Sequence, residues 1–333
     1  MHHFKKAGIR VLISILFLSI CCKNIFCQTV KAFSFPLDIH SITIPFELNN
    51  NHIYVKVRVN NSDTLTFIFD SGAGTSGLMI DSALASAIGL KETGKVTVGA
   101  TGGQGDFLIT DSVSLTIDKL FIQKEKIAWL QFKEQEKEEG HKVDGILSYS
   151  FFKHFVFEID YQKRLLTIGD PKFYDDKILP GKISMIDLDN NRMPVVKGIL
   201  TTKNKKTIKT EFILDTGHDE YILIGKELIK KNKILNDTLK IQPERVNTGF
   251  LGQTIHKSAK ITSFKIGTFT DTNPNTIFAL DEDGYYATLD GVLLGGKFFK
   301  NYKLILNYPK KYVVLIKASD KSNNSKRNQN NHS

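Results

Sequence analysis

The sequence predicts an all-β fold in which one structural unit is used twice. Three observations carry the prediction. Short apolar or alternating segments follow one another at close spacing, the pattern of a sandwich or barrel. A long-range repeat returns one motif in the same order in both halves of the chain. In each half an apolar run delivers a carboxylate, a hydroxyl and a glycine: Thr66-Phe67-Ile68-Phe69-Asp70-Ser71-Gly72, then Glu211-Phe212-Ile213-Leu214-Asp215-Thr216-Gly217.

Residues 1–27 have the pattern of a secretory signal peptide. Lys5, Lys6 and Arg10 precede an apolar run, Val11 to Ile20, that is too short to span a bilayer. The expectation is an exported protein, periplasmic or extracellular, cut after Cys27. Acylation of Cys21 or Cys22 is the alternative, but neither follows the small residue of a lipobox. All three cysteines lie in this leader, so neither disulfides nor thiolate metal sites are expected beyond it.

An N-terminal unit is expected over 28–170. It begins with the alternating strand Ile53-Tyr54-Val55-Lys56-Val57-Arg58-Val59 and a turn at Asn60-Asn61-Ser62-Asp63. Further strands are expected at Lys95–Val98, Phe107–Ile109, Val113–Ile117, Lys126–Leu130, Phe155–Ile159 and Leu165–Ile168. One helix fits after the first acid, capped by Asp81 or Ser82, with body Ala83 to Ile88 and Gly89 as its stop. A linker, 171–191, is punctuated by Pro171, Pro180 and Gly181. The C-terminal unit, 192–318, carries Lys226 to Lys233 in the helix position. The tail, 319–333, has no apolar residue and is expected to be disordered.

The repeat is specific. Asp144-Gly145-Ile146-Leu147-Ser148-Tyr149-Ser150-Phe151-Phe152-Lys153 returns as Asp290-Gly291-Val292-Leu293-Leu294-Gly295-Gly296-Lys297-Phe298-Phe299-Lys300. Asp144 follows Asp70 by 74 residues, and Asp290 follows Asp215 by 75. Composition is that of a globular protein, 41% hydrophobic and 24% charged. The net charge of +10 is spread over scattered lysines, some in the leader, without the Arg and aromatic stripe of a nucleic-acid groove. Neither a nucleic-acid partner nor a stable membrane span is expected.

An acid at the end of a buried strand is costly to keep ionised unless it is hydrogen-bonded or shares its charge. Asp70 and Asp215, placed face to face by the duplication, would be each other's partner. Two carboxylates about 3 Å apart hold one proton between them over a wide pH range, a behaviour established for other paired-acid enzymes. The ionised member can take a proton from a water while the protonated member polarises a carbonyl. Ser71 and Thr216 are placed to lock the two loops together. Gly72 and Gly217 let backbone amides approach the acids. His141, His154, His218 and His256 have no ligand spacing and no His-Glu-x-x-His occurs, so no metal or cofactor is expected.

These motifs resemble the two-lobed aspartic proteases, the superfamily of pepsin-like and retropepsin-like enzymes. The resemblance runs from about Ser41 to Lys317. It implies a bilobal fold of two homologous β-barrel lobes, each with a short helix, and an active-site cleft between them. It implies Asp70 and Asp215 as catalytic pair, Ser71 and Thr216 as interlocking hydroxyls, and Gly295 as the glycine of the second apolar-apolar-Gly element. The activity implied is that of an aspartic-type endopeptidase, acting as a monomer on an extended peptide or protein.

The sequence departs from that pattern at several places. Ser148 stands where glycine is usual. Ala73 and His218 follow the triplets where pepsin-like enzymes carry a hydroxyl residue, so fewer donors reach the acids and activity is expected at mildly acidic to neutral pH. The run from Val98 to Gly105 lacks the Gly-Lys-Ser/Thr ending of a phosphate loop. By position it is a candidate flap with Gly99, Thr101, Gly102 and Gly103 at its tip, without the pepsin-like tyrosine; Val246 to Gly252 is its counterpart. Asp144 and Asp290 read as turn or strand-end residues, Glu134 to Glu139 as a solvated loop, and Trp129 as core. His218 either tunes Asp215 or faces solvent. Two other functions fit parts of the pattern: a catalytically silent peptide-binding protein, and a two-carboxylate glycosidase, which needs its acids about 5–9.5 Å apart.

Overall fold

Alternation along the strands decides which faces meet. In Ser41–Pro45 only Ile42 and Ile44 are buried, and in His52–Val59 the exposed residues are Lys56 and Arg58. Leu65–Phe69 is buried at every position, as a strand enclosed on both faces must be. The computed structural model describes residues 32–177, 179–235, 240–249 and 251–317. The expected leader, 1–27, and tail, 319–333, lie outside them.

Among the described residues the chain is mostly strand, arranged in three sheets. In the first, of nine strands, Leu65–Phe69 lies between Gly145–Leu147, its parallel neighbour, and His52–Val59, its antiparallel one. The second nine-stranded sheet repeats this arrangement. There Thr207–Leu214 lies between parallel Val292–Leu294 and antiparallel Val195–Thr201. The third sheet, of six strands, takes members from both copies and joins them where Val156–Asp160 pairs with Tyr302–Asn307, Phe157 opposite Leu306. A sheet shared in this way is not part of the expectation of two self-contained barrels.

The core is aromatic where the sheets meet. Phe69, Phe151, Phe152, Phe155 and Phe157 are fully buried, and Phe69 meets Phe152 edge-on with ring centres 4.6 Å apart. Each such side chain contributes on the order of 1.5–3 kcal/mol of burial free energy. These rings support the strand that ends at Asp70.

Local elements follow their sequence signals with some corrections. The first helix spans Ser82–Ala87; Asp81 caps it by accepting from the Ala83 and Leu84 amides, and Gly89 (φ 74°) ends it. The lysine-rich helix spans Lys226–Asn232. The expected strands Phe107–Ile109 and Val113–Ile117 are one strand, Gly103–Ile117, whose register shifts near Ser112 (φ 61°), a bulge that keeps both segments in the sheet. The acidic run is a helix, Lys133–Glu139, closed by left-handed Gly140. The 171–191 segment holds a two-residue strand, Ile183–Ser184, and a helical turn, Leu188–Asn191.

The strand pairing also corrects the repeat. Gly145 and Val292 hold equivalent places beside Phe67 and Phe212. Asp144 therefore corresponds to Gly291, and Asp290 stands one residue earlier, exposed and paired with Lys231. No helix among the described residues is long and apolar enough to cross a membrane.

Candidate active site

Asp70 and Asp215 each follow the last residue of a central strand. The Asp70 amide donates to the Leu147 carbonyl (3.3 Å) and the Asp215 amide to that of Leu294 (2.9 Å), so the neighbouring parallel strand fixes each acid at its root. Beyond the acids the two loops bind each other by exchanged bonds. Ser71 donates its amide to Thr216 Oγ1 (3.0 Å) and its hydroxyl to the Leu214 carbonyl (2.7 Å). Thr216 donates its amide to Ser71 Oγ (2.9 Å) and its hydroxyl to the Phe69 carbonyl (2.6 Å). Both side chains are essentially inaccessible, 1% and 0% exposed, so these bonds have no competing water.

The glycines are packed crosswise. A Cβ on Gly72 would collide with the carboxyl of Asp215, and one on Gly217 with that of Asp70. The two carboxyls are hydrogen-bonded to each other. Burial raises Asp70, against which work the bond from Asp215 and the Gly72 amide. Burial raises Asp215 well above the carboxylate range, and the adjacent Asp70 charge raises it further. The backbone supports the same order: Asp70 Oδ1 accepts from the amides of Gly72 (2.8 Å) and Ala73 (3.1 Å), whereas Asp215 Oδ1 accepts from Gly217 alone (2.8 Å) among the described residues. The extra backbone donor favours negative charge on Asp70 over Asp215.

The glycine-rich run is a hairpin between Gly94–Ala100 and Gly103–Ile117, with Gly99 opposite Gln104 and Thr101 and Gly102 (φ 86°) as its turn. Its tip meets the corresponding hairpin of the other half, Arg245–Gly249 with Gly252–Lys260. The Leu251 amide donates to the Thr101 carbonyl (2.9 Å), and Gly102 and Gly252 lie so close that neither has room for a Cβ. Gly284 also packs close to the tip, where a Cβ on it would strike the Gly103 amide. After it, Tyr285 and Tyr286 lie near enough to Asp215 for its charge, added to their burial, to raise both phenols.

His218 is buried, not solvent-facing. Its Nδ1 lies 3.4 Å from the Tyr286 hydroxyl, and burial lowers its pKa, so the ring is neutral. Ser148 has the same extended backbone (φ −126°) as Gly295 (φ −109°), so the serine needs no special conformation; its hydroxyl donates to the Gly77 carbonyl (2.8 Å). Gly295 cannot be replaced so freely, because a Cβ there would strike the carbonyls of His218 and Glu220. Asp144 accepts from the Thr66 amide (2.8 Å) and clamps the start of the Asp70 strand. Trp129, packed against the core, donates to Thr110 Oγ1 (3.0 Å).

Sequence reasoning missed His52 and Glu139. The histidine opens a strand, the glutamate ends an acidic run, and neither has a motif. The fold places His52 Nδ1 3.0 Å from Glu139 Oε1, and His52 Nε2 3.1 Å from the Gly217 carbonyl. Only the three-dimensional contact reveals them.

The family model described as aspartyl protease matches residues 55–151, under a third of the chain. The match contains Asp70, Ser71, Gly72 and the candidate flap; Asp215 lies beyond it and is tied to the first acid by contact. No curated protein matches the chain. The chain is thus similar, over the unit that carries the first acid, to aspartyl proteases.

Proposed function

We propose that the chain is an aspartic endopeptidase in which Asp70 and Asp215 activate a water between two lobes of a duplicated, bilobal fold. The observation that carries the reading is the pair of half-buried acids in hydrogen-bond contact, each packed on the other's glycine. Ionised Asp70 takes a proton from the water as its oxygen adds to the scissile carbonyl carbon. Asp215 gives its proton to the carbonyl oxygen, leaving a neutral tetrahedral diol. Asp70 then passes the proton it gained to the amide nitrogen, the carbon–nitrogen bond breaks as a diol hydroxyl gives its proton to ionised Asp215 and becomes the product carboxyl's carbonyl, and the pair again holds one proton.

An extended peptide would lie beneath the two hairpin tips, whose contact through Thr101 and Leu251 must part to admit it. The leader pattern supports an exported site of action. Carboxyls in direct contact argue against a glycosidase, which needs a wider gap. Hydrolysis of casein or a peptide library by the wild type, abolished by Asp70→Asn, tests the reading. Peptide binding without hydrolysis would identify the silent binding protein instead.

A further inference from the structure

His52 and Glu139 form a buried pair that the catalytic steps above do not use. His52 is 9% exposed; its Nε2 lies 3.1 Å from the Gly217 carbonyl, and its Nδ1 lies 3.0 Å from Glu139 Oε1 as an ion-pair contact rather than a directed hydrogen bond. The Gly217 carbonyl calls for a proton on Nε2, and the carboxylate 3.0 Å from Nδ1 favours a second proton there, the cationic form of the ring. Glu139 is held in turn. Tyr54 donates its hydroxyl to Oε2 (3.1 Å), and Asn49 and Asn50 donate to the Glu139 carbonyl (2.8 and 3.3 Å). Asn51 donates to the Asp219 carbonyl (3.0 Å). The turn 49–52 thus grips the second acid loop at residues 217 and 219, two and four residues beyond Asp215.

The brace is one-sided. Tyr54 pairs with Ile68 as Val195 pairs with Ile213, so the place of His52 in the second copy belongs to Met193, an uncharged thioether. We propose that His52 is a positioning residue of the acid pair, holding the Gly217 loop through Nε2 and supplying a positive charge that favours the singly ionised pair. The inference rests on the protease reading for its kinetic consequence, though not for its electrostatic one.

The charged groups facing His52 are Glu139, Asp70, Asp215 and Asp219, with neutral His218 beside them. Burial opposes its charge, but Glu139 and the aspartates outweigh burial and leave its pKa above the ordinary value. Glu139 stays below its ordinary value despite burial, because His52 and Tyr54 bind it. The His52 charge in turn lowers both Asp70 and Asp215. Removing that charge must move both titration steps of the acid pair to higher pH.

The experiment compares wild type, His52→Gln, which keeps a side-chain N–H donor without charge, His52→Met, which copies the second half, and Glu139→Gln. Profiles of kcat and KM against pH on a cleaved peptide are the first readout. The acid limb of kcat should rise in pH by about 0.5–1 unit in His52→Gln, with KM changed less than about threefold. Glu139→Gln should shift it the same way, and the double variant no further than His52→Gln alone, since both act through one charge. His52→Met should also lose kcat at its optimum. A His52→Gln profile superposable on wild type overturns the inference.

Carbon-13 NMR titration of the Asp70 and Asp215 carboxyls and the His52 ring is the second readout. It decides the matter even if no peptide is cleaved, an outcome that would sink only the protease reading. Carboxyl titrations that move up in His52→Gln support the inference; unmoved ones refute it.

Discussion

Asp70 and Asp215 occupy equivalent ends of equivalent strands, yet their surroundings differ in ways that matter to a proton. The interlock of Ser71 with Thr216 is reciprocal, bond for bond. The residue after each glycine is not. The Ala73 amide is shared between the Asp70 carbonyl (3.2 Å) and Asp70 Oδ1 (3.1 Å), whereas the His218 amide donates to the Asp215 carbonyl (3.4 Å) without a bond to the carboxyl among the described residues. One acid is thereby better solvated by backbone than the other. The comparison teaches that a repeated strand arrangement supplies the shared scaffold, while the residues around it give the two carboxyls different backbone donors.

The most severe test of that comparison removes one acid at a time. Asp70→Asn and Asp215→Asn should each lower peptide hydrolysis by about 10²–10⁴-fold or more. Substantial activity left in either variant would break the claim that the two act as a pair. The same two variants should differ in stability. Asp215 has a folded pKa raised above its unfolded value of about 3.9. Its contribution to stability is therefore complete below that value and lost as pH rises through the folded pKa. Asp215→Asn should gain on wild type in thermal melting as pH climbs from 4 to 8, and more than Asp70→Asn does, since Asp70 is raised less.

Next in size are the crossed glycines. Gly72→Ala and Gly217→Ala drive a methyl into the opposite carboxyl, and Gly295→Ala drives one into two carbonyls. Each should cost about 1–3 kcal/mol in urea unfolding, and the first two should also lose hydrolysis. Ser71→Ala and Thr216→Val strip equivalent bonds from the interlock and leave buried backbone groups unpaired, at about 1–3 kcal/mol each. Reciprocity requires near-equal costs, and a double variant less destabilised than their sum, because the two side chains share partners. A large inequality would mean that the interlock is symmetric in geometry but not in energy.

Much of this was legible in the sequence. Apolar runs ending in Asp-Ser-Gly and Asp-Thr-Gly mark a strand, an acid and a turn by local chemistry alone, and the repeat pairs them. Strand existence was readable because Ile53 to Val59 alternates. The merger of Phe107–Ile109 with Val113–Ile117 was not, because a bulge at Ser112 looks like a break in the pattern. The six-stranded sheet was invisible because its register joins residues such as Phe157 and Leu306, which share no local signal. The His52–Glu139 pair shows the same limit. Glu139 belongs to a run of charges that on its own reads as solvated, and contacts with Tyr54 and His52, far away in sequence, take most of its side chain out of water. Spacing also misled, since counting residues equated Asp144 with Asp290 where the strands equate Asp144 with Gly291.

The smallest expected effect concerns Ser148 and Gly295, which stand at one place in the two copies. Both have extended backbone that any residue can adopt, so φ does not select glycine at either. What selects it at 295 is the approach of the His218 and Glu220 carbonyls; at 148 the serine instead reaches the Gly77 carbonyl. Ser148→Gly should therefore cost only about 1–2 kcal/mol, from the lost hydrogen bonds to Gly77 and Ser150 and the added freedom of the unfolded chain. Ser148→Ala separates these, losing the bonds while keeping the backbone restraint, and should be milder still. Hydrolysis should persist in both. A loss of activity in Ser148→Gly out of proportion to its stability would show that the Gly77 contact positions the Asp70 loop, making the first half as dependent on a side-chain brace as the second.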